Sequence, residues 1–597
     1  MSQFTHLHTH SHYSLLAALP KIDELVSAAK KHGMRALALT DNGNLYGAIE
    51  FYKTCKKKEV KAIIGVDFYL AQRTRRDKEA GIDNRRNRLV LLAQNEAGYK
   101  NLMKLVTASH LEGFYYKPRI DRELLEKYNE GLIAISPASS GDIALSLKSR
   151  TKDKAQESAA HYKRVFGGRL FVEITRHPEI EGHEANMKAL AEFARSENIP
   201  LIAAHDVFYM KADDREARDT LLLVNSHTDS SDRGSDDDEE DFSFISPERA
   251  DELFRDTPEA LANNEKVANM CNLELTLGKW VFPNYIAENK RSYDDELRHL
   301  VFEGFARKNL KKEKEFVERA DYELDIIKKK GYAPYFLVVA DMLKYAHEHD
   351  IFTTTRGSAA GSLISYATGI TNVNPIEYKL PFERFLNPER PSAPDIDMDY
   401  ADNRRDEMIE YIRNKYGQDN VAQIGTFGTM MARGSVRDTA RALGFPFEVG
   451  DRISKMIPLG AQGFPMTLDR ALAEVTELKK LYDEDANTKK IIDLAKKIEG
   501  CARHISVHAA GVVIAPRPLV EFTPLQFDPK GEGLPAGRPG KIITQYDMYA
   551  IEDAGLLKFD FLGIRNLSIL ADAVERVKKI EHEAIDIENV RVDDKKT

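Results

Sequence analysis

The chain has 597 residues, 42% of them hydrophobic and 30% charged, with 86 Lys and Arg against 95 Asp and Glu for a net charge of −9. At about 150 residues per domain this length asks for roughly four domains, and the composition excludes a disordered chain. No run approaches the ~20 apolar residues that cross a bilayer, and a protein basic all over is excluded, although a local basic face is enough to hold nucleic acid. Three cysteines, Cys55, Cys271 and Cys501, are too few and too scattered for a disulfide framework or a zinc cluster. The opening MSQFTHLHTH lacks the basic and apolar stretches of a signal peptide, so a cytoplasmic setting is expected.

In chain order, strands are expected at 4–10, 35–41, 61–71, 88–94, 131–136, 169–175 and 200–206, alternating with helices such as KIDELVSAAKKHGM and HEANMKALAEFARSENI. Such alternation predicts βαβ units around a parallel sheet, and seven of them predict a closed or nearly closed βα barrel. Asp41, Asp67 and Asp206 fall at strand ends, where barrels carry their chemistry. The acidic run 236–241 predicts an exposed loop, because its charges repel one another. Helices follow to about residue 350. From TTTRGSAAGSLISYATG to KFDFLGIRNL the chain mixes Gly-rich turns, short strands and helices, with helical stretches 433–456 and 467–499 inserted; another helix, ILADAVERVKKIEHEA, comes last.

His6, His8, His10 and His12 alternate at strand period, which predicts four imidazoles on one face, a set able to chelate zinc or manganese. An HxH strand opening a βα barrel resembles the polymerase-and-histidinol-phosphatase (PHP) metal-dependent phosphoesterases. His8, His10 and Asp206 match that family's ligands, and Asp67 stands where a glutamate is usual. Ala17, Asn42, Arg88, Ala138 and Phe208 replace ligands, and Arg88 sets a cation where a metal would sit. Loss of so many ligands predicts a degenerate site without its metal and without phosphoesterase activity.

SAPDIDMDY (392–400) predicts a strand with Asp395, Asp397 and Asp399 on one face, and three carboxylates so placed call for cations. An EF-hand loop is excluded by Tyr400 and Asp406 at the positions that need Gly and Glu. Arg356, Gly357 and Ser358 open a Gly/Ser turn leading into a helix, whose amides suit a phosphate; no GK[ST] follows, so it is not a P-loop. In GLLKFDFLGI, Lys558 and Asp560 share a strand face, suited to phosphate and metal. Together these supply what two-metal phosphoryl or nucleotidyl transfer needs. Arg433, Arg437 and Arg441 recur every four residues and predict a helical stripe fit for a duplex backbone.

The motifs RGSAAGS, FERFLNPERPSAPDIDMD, TFGTMMARGSVRDTAR, HAAGVVIAP and LLKFDFLGIRNL, following a PHP opening, resemble the bacterial DNA polymerase III alpha subunits, the C-family of replicative polymerases. The resemblance implies a multidomain α/β chain: a PHP barrel (1–275), a polymerase-β-like nucleotidyltransferase palm in two segments (276–432 and 501–565), an inserted helical thumb (433–500) and the start of truncated fingers (566–597). It implies two Mg²⁺ ions on Asp397, Asp399 and Asp560, with Asp395 supporting the strand. Arg356, Gly357, Ser358 and Lys558 would contact the triphosphate. Primer–template DNA and deoxynucleoside triphosphates are the implied substrates, and a 3′–5′ exonuclease subunit the partner at the barrel. A sliding clamp and its loader would dock through regions beyond this sequence, and no membrane is involved. A chain ending this early in the fingers is expected to extend primers weakly or not at all. The alternatives are a PHP phosphoesterase or exonuclease, and a scaffold without catalysis that docks a proofreading exonuclease.

Overall fold

The computed structural model describes residues 4–225, 241–287, 290–310, 314–389, 394–461, 464–529 and 540–587, so most of the acidic run at 236–241 lies outside the described residues. The chain divides into two compact units, one formed by Met1–Thr276, Gly425–Ser506 and Thr523–Ala550, the other by Leu277–Ile424, Val507–Phe522 and Ile551–Thr597. Both combine sheet and helix, a multidomain α/β architecture. Among the described residues no helix is long and apolar enough to cross a membrane.

In the first unit the sheet runs Phe114–Tyr115, Lys117–Ile120, Lys61–Leu70, Asn87–Ala93, Leu132–Ser136, Leu170–Ile174, Leu201–Ala203, with Ala36–Leu39 paired to the first half of Lys61–Leu70. The expectation of a wholly parallel sheet needs correction. Asn87–Ala93 runs antiparallel to both neighbours, because the chain from Leu70 to Asn87 contains no helix and a parallel return needs a long crossover. Ile63, Val90, Leu92, Ile133, Ile135, Phe171 and Ile202 form the apolar interior.

The expected strand at 4–10 is also corrected: no regular strand forms there. Thr40 side-chain bonds replace part of the ladder, since Thr9 N donates to Thr40 Oγ1 at 2.8 Å. The segment still fills the gap in the ring. His6 O accepts from Ala38 N (3.0 Å), Thr9 O from Thr40 N (2.8 Å), and His10 N donates to Val207 O (2.9 Å). Buried Asn264 ties the same seam, donating to Thr5 O (3.0 Å) and Ala203 O (2.7 Å). Without strand geometry the four histidines separate: His6 bonds Ile245 O, and His12 Nδ1 accepts from Ala502 N.

The helices Ala432–Ala442, Phe447–Met456, Leu468–Glu474, Thr476–Glu484 and Ala486–Ile498 share a core of Val436, Ala440, Ile453, Leu478 and Ile491. They belong to the first unit, where Leu494 and Ile498 pack with Leu221 and Val224 of helix Arg215–Asn225.

In the second unit, helices Tyr293–Arg307, Lys314–Lys330 and Ala333–Glu348 cover a sheet whose order is Thr353–Arg356, Asp397–Ala401, Lys558–Ile564, and residues 507–514. Met398, Tyr400, Phe559 and Phe561 point into a core with Phe336, Val339 and Leu343. Alternation along the strands then sends the charged residues to the opposite face.

Candidate metal centre

Two central strands of the second unit pair in parallel with Asp397 opposite Asp560, while Arg356 lies opposite Asp397 on the antiparallel neighbour. This register converges three carboxylates: Asp395, Asp397 and Asp560 offer ligand oxygens that all lie within 4.8 Å of one another. Asp560 is 8% exposed; its Oδ2 is taken by the Lys558 ammonium, and its buried Oδ1 has no partner among the described residues. A buried carboxylate oxygen left bare is costly unless something cationic meets it. Desolvation pushes the Asp395 carboxyl up, the Asp397 and Asp560 charges add to this, and Lys558 opposes it. Burial pulls the Lys558 ammonium down, yet its bond to Asp560 and that residue's charge leave it above its ordinary value. All the donors are hard oxygens in a crowded anionic cluster, which fits Mg²⁺ or Mn²⁺.

Asp399, expected beside Asp397 as a metal ligand, stands apart from this group. It is 1% exposed, and the Arg356 guanidinium grips both of its oxygens, with Nη2 to Oδ1 at 2.9 Å. Asp395, expected only to support the strand, is the third member of the cluster instead. His508 faces it as well: burial lowers its pKa, and its Nδ1 accepts from Gly511 N at 2.8 Å.

Gly357, at φ +80°, starts a 3₁₀ turn, Gly357–Gly361, that is exposed at its start and buried at Ala359 and Gly361, and an added Cβ on Gly357 would sit 3.6 Å from Asp397 Oδ2. Ser358 is exposed on the same turn. The helix that follows, Leu363–Ala367, does not offer its amides to a ligand as expected. Buried Glu323 already accepts from Ser362 Oγ (2.8 Å), Leu363 N (3.0 Å) and Ile364 N (3.1 Å). Any anion there meets the Gly357–Gly361 turn, Arg356 and Lys558, not a helix N-terminus.

The barrel holds a second acidic cluster. His8 Nδ1 lies 2.9 Å from Asp206 and 3.0 Å from Glu173, and its Nε2 lies 3.2 Å from Asp67. Burial acts against a charge on this ring, but the Asp206 and Glu173 charges raise its pKa well above the ordinary value. Burial pushes Glu173 up, and the Asp206 charge adds to it. Arg88 clasps Asp67 through Nε (3.0 Å) and Nη2, reaches Asn42, and lies 4.1 Å over the Tyr69 ring. His10 stacks on Phe208 at 4.1 Å, and burial lowers its pKa to about 4. Ligand atoms of His8, His10 and Asp67, and of His8, Glu173 and Asp206, do converge within 4.8 Å. As they stand, Arg88 and His8 pair with Asp67 and His8 with Asp206, so a metal ion there would compete with these contacts. Glu173 was missed in the sequence, where it is a lone acid in the apolar strand Leu170–Ile174.

The arginine stripe lies on helix Ala432–Ala442. Arg437 is exposed, Arg441 pairs with Asp438 at 3.3 Å, and Arg433 Nε donates to Ile457 O at 2.6 Å.

Residues 295–563, which contain the whole carboxylate cluster and its turn, match the family model described as the bacterial DNA polymerase III alpha NTPase domain, and residues 6–177 match the PHP domain. Curated relatives described as DNA polymerase III subunit alpha align along the chain. That of Borreliella burgdorferi is 40% identical over 100% of this chain and 51% of its own length. That of Aquifex aeolicus is 38% identical over 98% and 53%, and that of Thermus aquaticus 37% over 100% and 53%. The chain thus spans about half the length of the curated relatives it matches. With both family models in order and 37 to 40% identity sustained along the sequence, the chain belongs to the family of bacterial DNA polymerase III alpha subunits.

Proposed function

We propose that the chain carries the nucleotidyl-transfer centre of a replicative DNA polymerase, joining deoxynucleoside triphosphates to a primer 3′-hydroxyl on a DNA template. The observation that carries this reading is the convergence of Asp395, Asp397 and Asp560, with the bare Asp560 Oδ1 among them. In these terms residues 276–432 and 501–565 are the palm, 433–500 the thumb and 566–597 the start of the fingers. Mg²⁺ ions held by Asp397, Asp560 and, once released, Asp399 would lower the pKa of the attacking hydroxyl and neutralise phosphate charge.

The protein's own groups do the positioning. Arg356 and Lys558 now lie on Asp399 and Asp560, and a triphosphate offers both a more highly charged partner. The exposed start of the Gly357–Gly361 turn, Gly357 and Ser358, gives that triphosphate backbone amides and a hydroxyl. Arg437 and Arg441 suit the phosphates of primer–template. The Arg88 guanidinium on Asp67 and the contacts of His8 with Asp67 and Asp206 support a barrel without metal over the phosphoesterase alternative. Docking of a 3′–5′ exonuclease at the barrel, of clamp and loader elsewhere, and a cytoplasmic setting follow from the family alone.

Single-turnover primer extension in Mg²⁺, made with the native polypeptide that carries this sequence, tests the reading. Asp397→Asn and Asp560→Asn should each slow incorporation by orders of magnitude while duplex binding holds. Near-parental extension by both variants would refute the assignment.

A further inference from the structure

Apart from both acidic clusters, the barrel unit holds a cavity of about 310 Å³ lined by Arg176, His177, His205, Arg215, Asp241 and Arg249, with Glu179 at its side. Asp206 turns to His8, while the adjacent His205 turns the other way, into this cavity. His205 is 4% exposed, and neither ring nitrogen has a hydrogen-bond partner among the described residues. Its closest acid is Asp241, whose Oδ2 lies 3.9 Å from Nε2. In either neutral tautomer one ring nitrogen carries a hydrogen to donate. The side chain of Arg215, half-buried at the first turn of helix Arg215–Asn225, likewise makes no ion pair or hydrogen bond among the described residues.

The acids of the wall are already supplied with donors. Asp241 accepts from Ser243 N (3.0 Å) and Ser243 Oγ (3.1 Å), and Glu179 Oε1 lies 3.1 Å from His177 Nδ1. Arg176 is braced from behind by Asp256 at 3.0 Å, and Arg249 bonds Glu252 at 3.0 Å, which leaves each guanidinium other N–H groups. Three guanidiniums and a bare imidazole therefore face two engaged carboxylates. What such a wall lacks is an acceptor with several oxygens and negative charge, and guanidiniums match the tetrahedral oxygens of phosphate. The volume is at the lower end for small-ligand sites, larger than a bare oxyanion and close to one carrying a small organic group.

We propose that this cavity binds a small phosphate dianion, free or as a monoester, with Arg215 and His205 as its principal donors. The site is independent of the nucleotidyl-transfer reading and shares no residue with it.

Calorimetric titration of the full 597-residue chain in metal-free buffer tests this, with inorganic phosphate as one probe and a deoxynucleoside 5′-monophosphate as the other. One saturable site is expected, weakened at least tenfold or so by Arg215→Glu and left intact by Arg356→Gln and Arg437→Glu. Tighter binding of the monophosphate assigns the site to an ester, and tighter binding of phosphate assigns it to the free ion. His205→Phe should weaken binding too, but Arg215 decides, because a half-exposed residue is replaced without unfolding the barrel. Absence of saturable binding at millimolar concentrations of both probes overturns the proposal. So does binding that Arg215→Glu leaves unchanged, or that Arg356→Gln abolishes.

Discussion

Glu323→Ala should loosen the turn on which the triphosphate is proposed to rest, although Glu323 touches no ligand. The carboxylate is 0% exposed and holds Ser362 Oγ, Leu363 N and Ile364 N, while Arg319 Nε bonds it at 2.6 Å. Arg319 also reaches Gly361 O at 3.0 Å, so one ion pair ties the end of the Gly357–Gly361 turn to the start of the next helix. Each bond to a charged acceptor contributes about 1.5–3 kcal/mol, and water entering the vacated space recovers part of the loss. Removing one member of a buried pair costs ~3–5 kcal/mol, which brackets the net effect. Leu363–Ala367 has only five residues and cannot hold helical structure unaided. A loss of about 3 kcal/mol corresponds to roughly a hundredfold or more in local opening. Hydrogen exchange on a peptide covering 357–367 reads this directly, with Glu323→Gln expected between wild type and alanine. Unchanged protection of Leu363 and Ile364 in the alanine variant would refute the reasoning.

Without nucleotide, Asp397→Asn and Asp560→Asn should each abolish Mn²⁺ binding seen by electron paramagnetic resonance, and Asp399→Asn should retain most of it, because Arg356 already neutralises Asp399; equal loss in all three contradicts this. Arg88→Met strips the guanidinium from a buried Asp67 and should destabilise the barrel by ~3–5 kcal/mol; a melting temperature unchanged in calorimetry would count against the ion-pair centre. Burial acts to raise the Asp67 pKa, but Arg88, His10 and His8 hold it well below the usual carboxylate range. Its contribution to stability is therefore complete above about pH 4 and lost as pH falls through the depressed value, so Asp67→Asn should flatten the acid limb of the unfolding curve. Arg437→Glu with Arg441→Glu should weaken primer–template binding for every sequence and lower the salt slope by about one per lost phosphate contact. Arg433→Glu should also destabilise its helices, since Arg433 holds Ile457 O; unchanged affinity at low salt would move the DNA elsewhere.

The strands that build the candidate site were legible because they alternate: DIDMDY and KFDF place acids on one face and Met398, Tyr400, Phe559 and Phe561 on the other. Which acids meet was not, because this depends on the register between strands about 160 residues apart, which nothing along either strand reveals. Asp397 opposite Asp560 leaves Asp395 at the mouth and delivers Asp399 to Arg356. The histidine run misled for the opposite reason: its periodicity is real, but Thr40 and Asn264 side chains hold the backbone where a ladder was expected. Glu173 was hidden in an apolar strand. Glu323 had a readable signal, a carboxylate in line with Ala320, Ile326 and Ile327 on the buried face of its helix.

Arg88 has a consequence for how the barrel deals with metal in solution. A bound ion comes and goes with its concentration, whereas a guanidinium anchored to the neighbouring strand competes for Asp67 at a fixed local concentration set by the length of its side chain. For tethers this short that concentration is millimolar or higher. Trace zinc or manganese would have to displace a cation that never diffuses away. On the proposed reading of a barrel without metal, this tether would buffer its centre against the metal content of its surroundings.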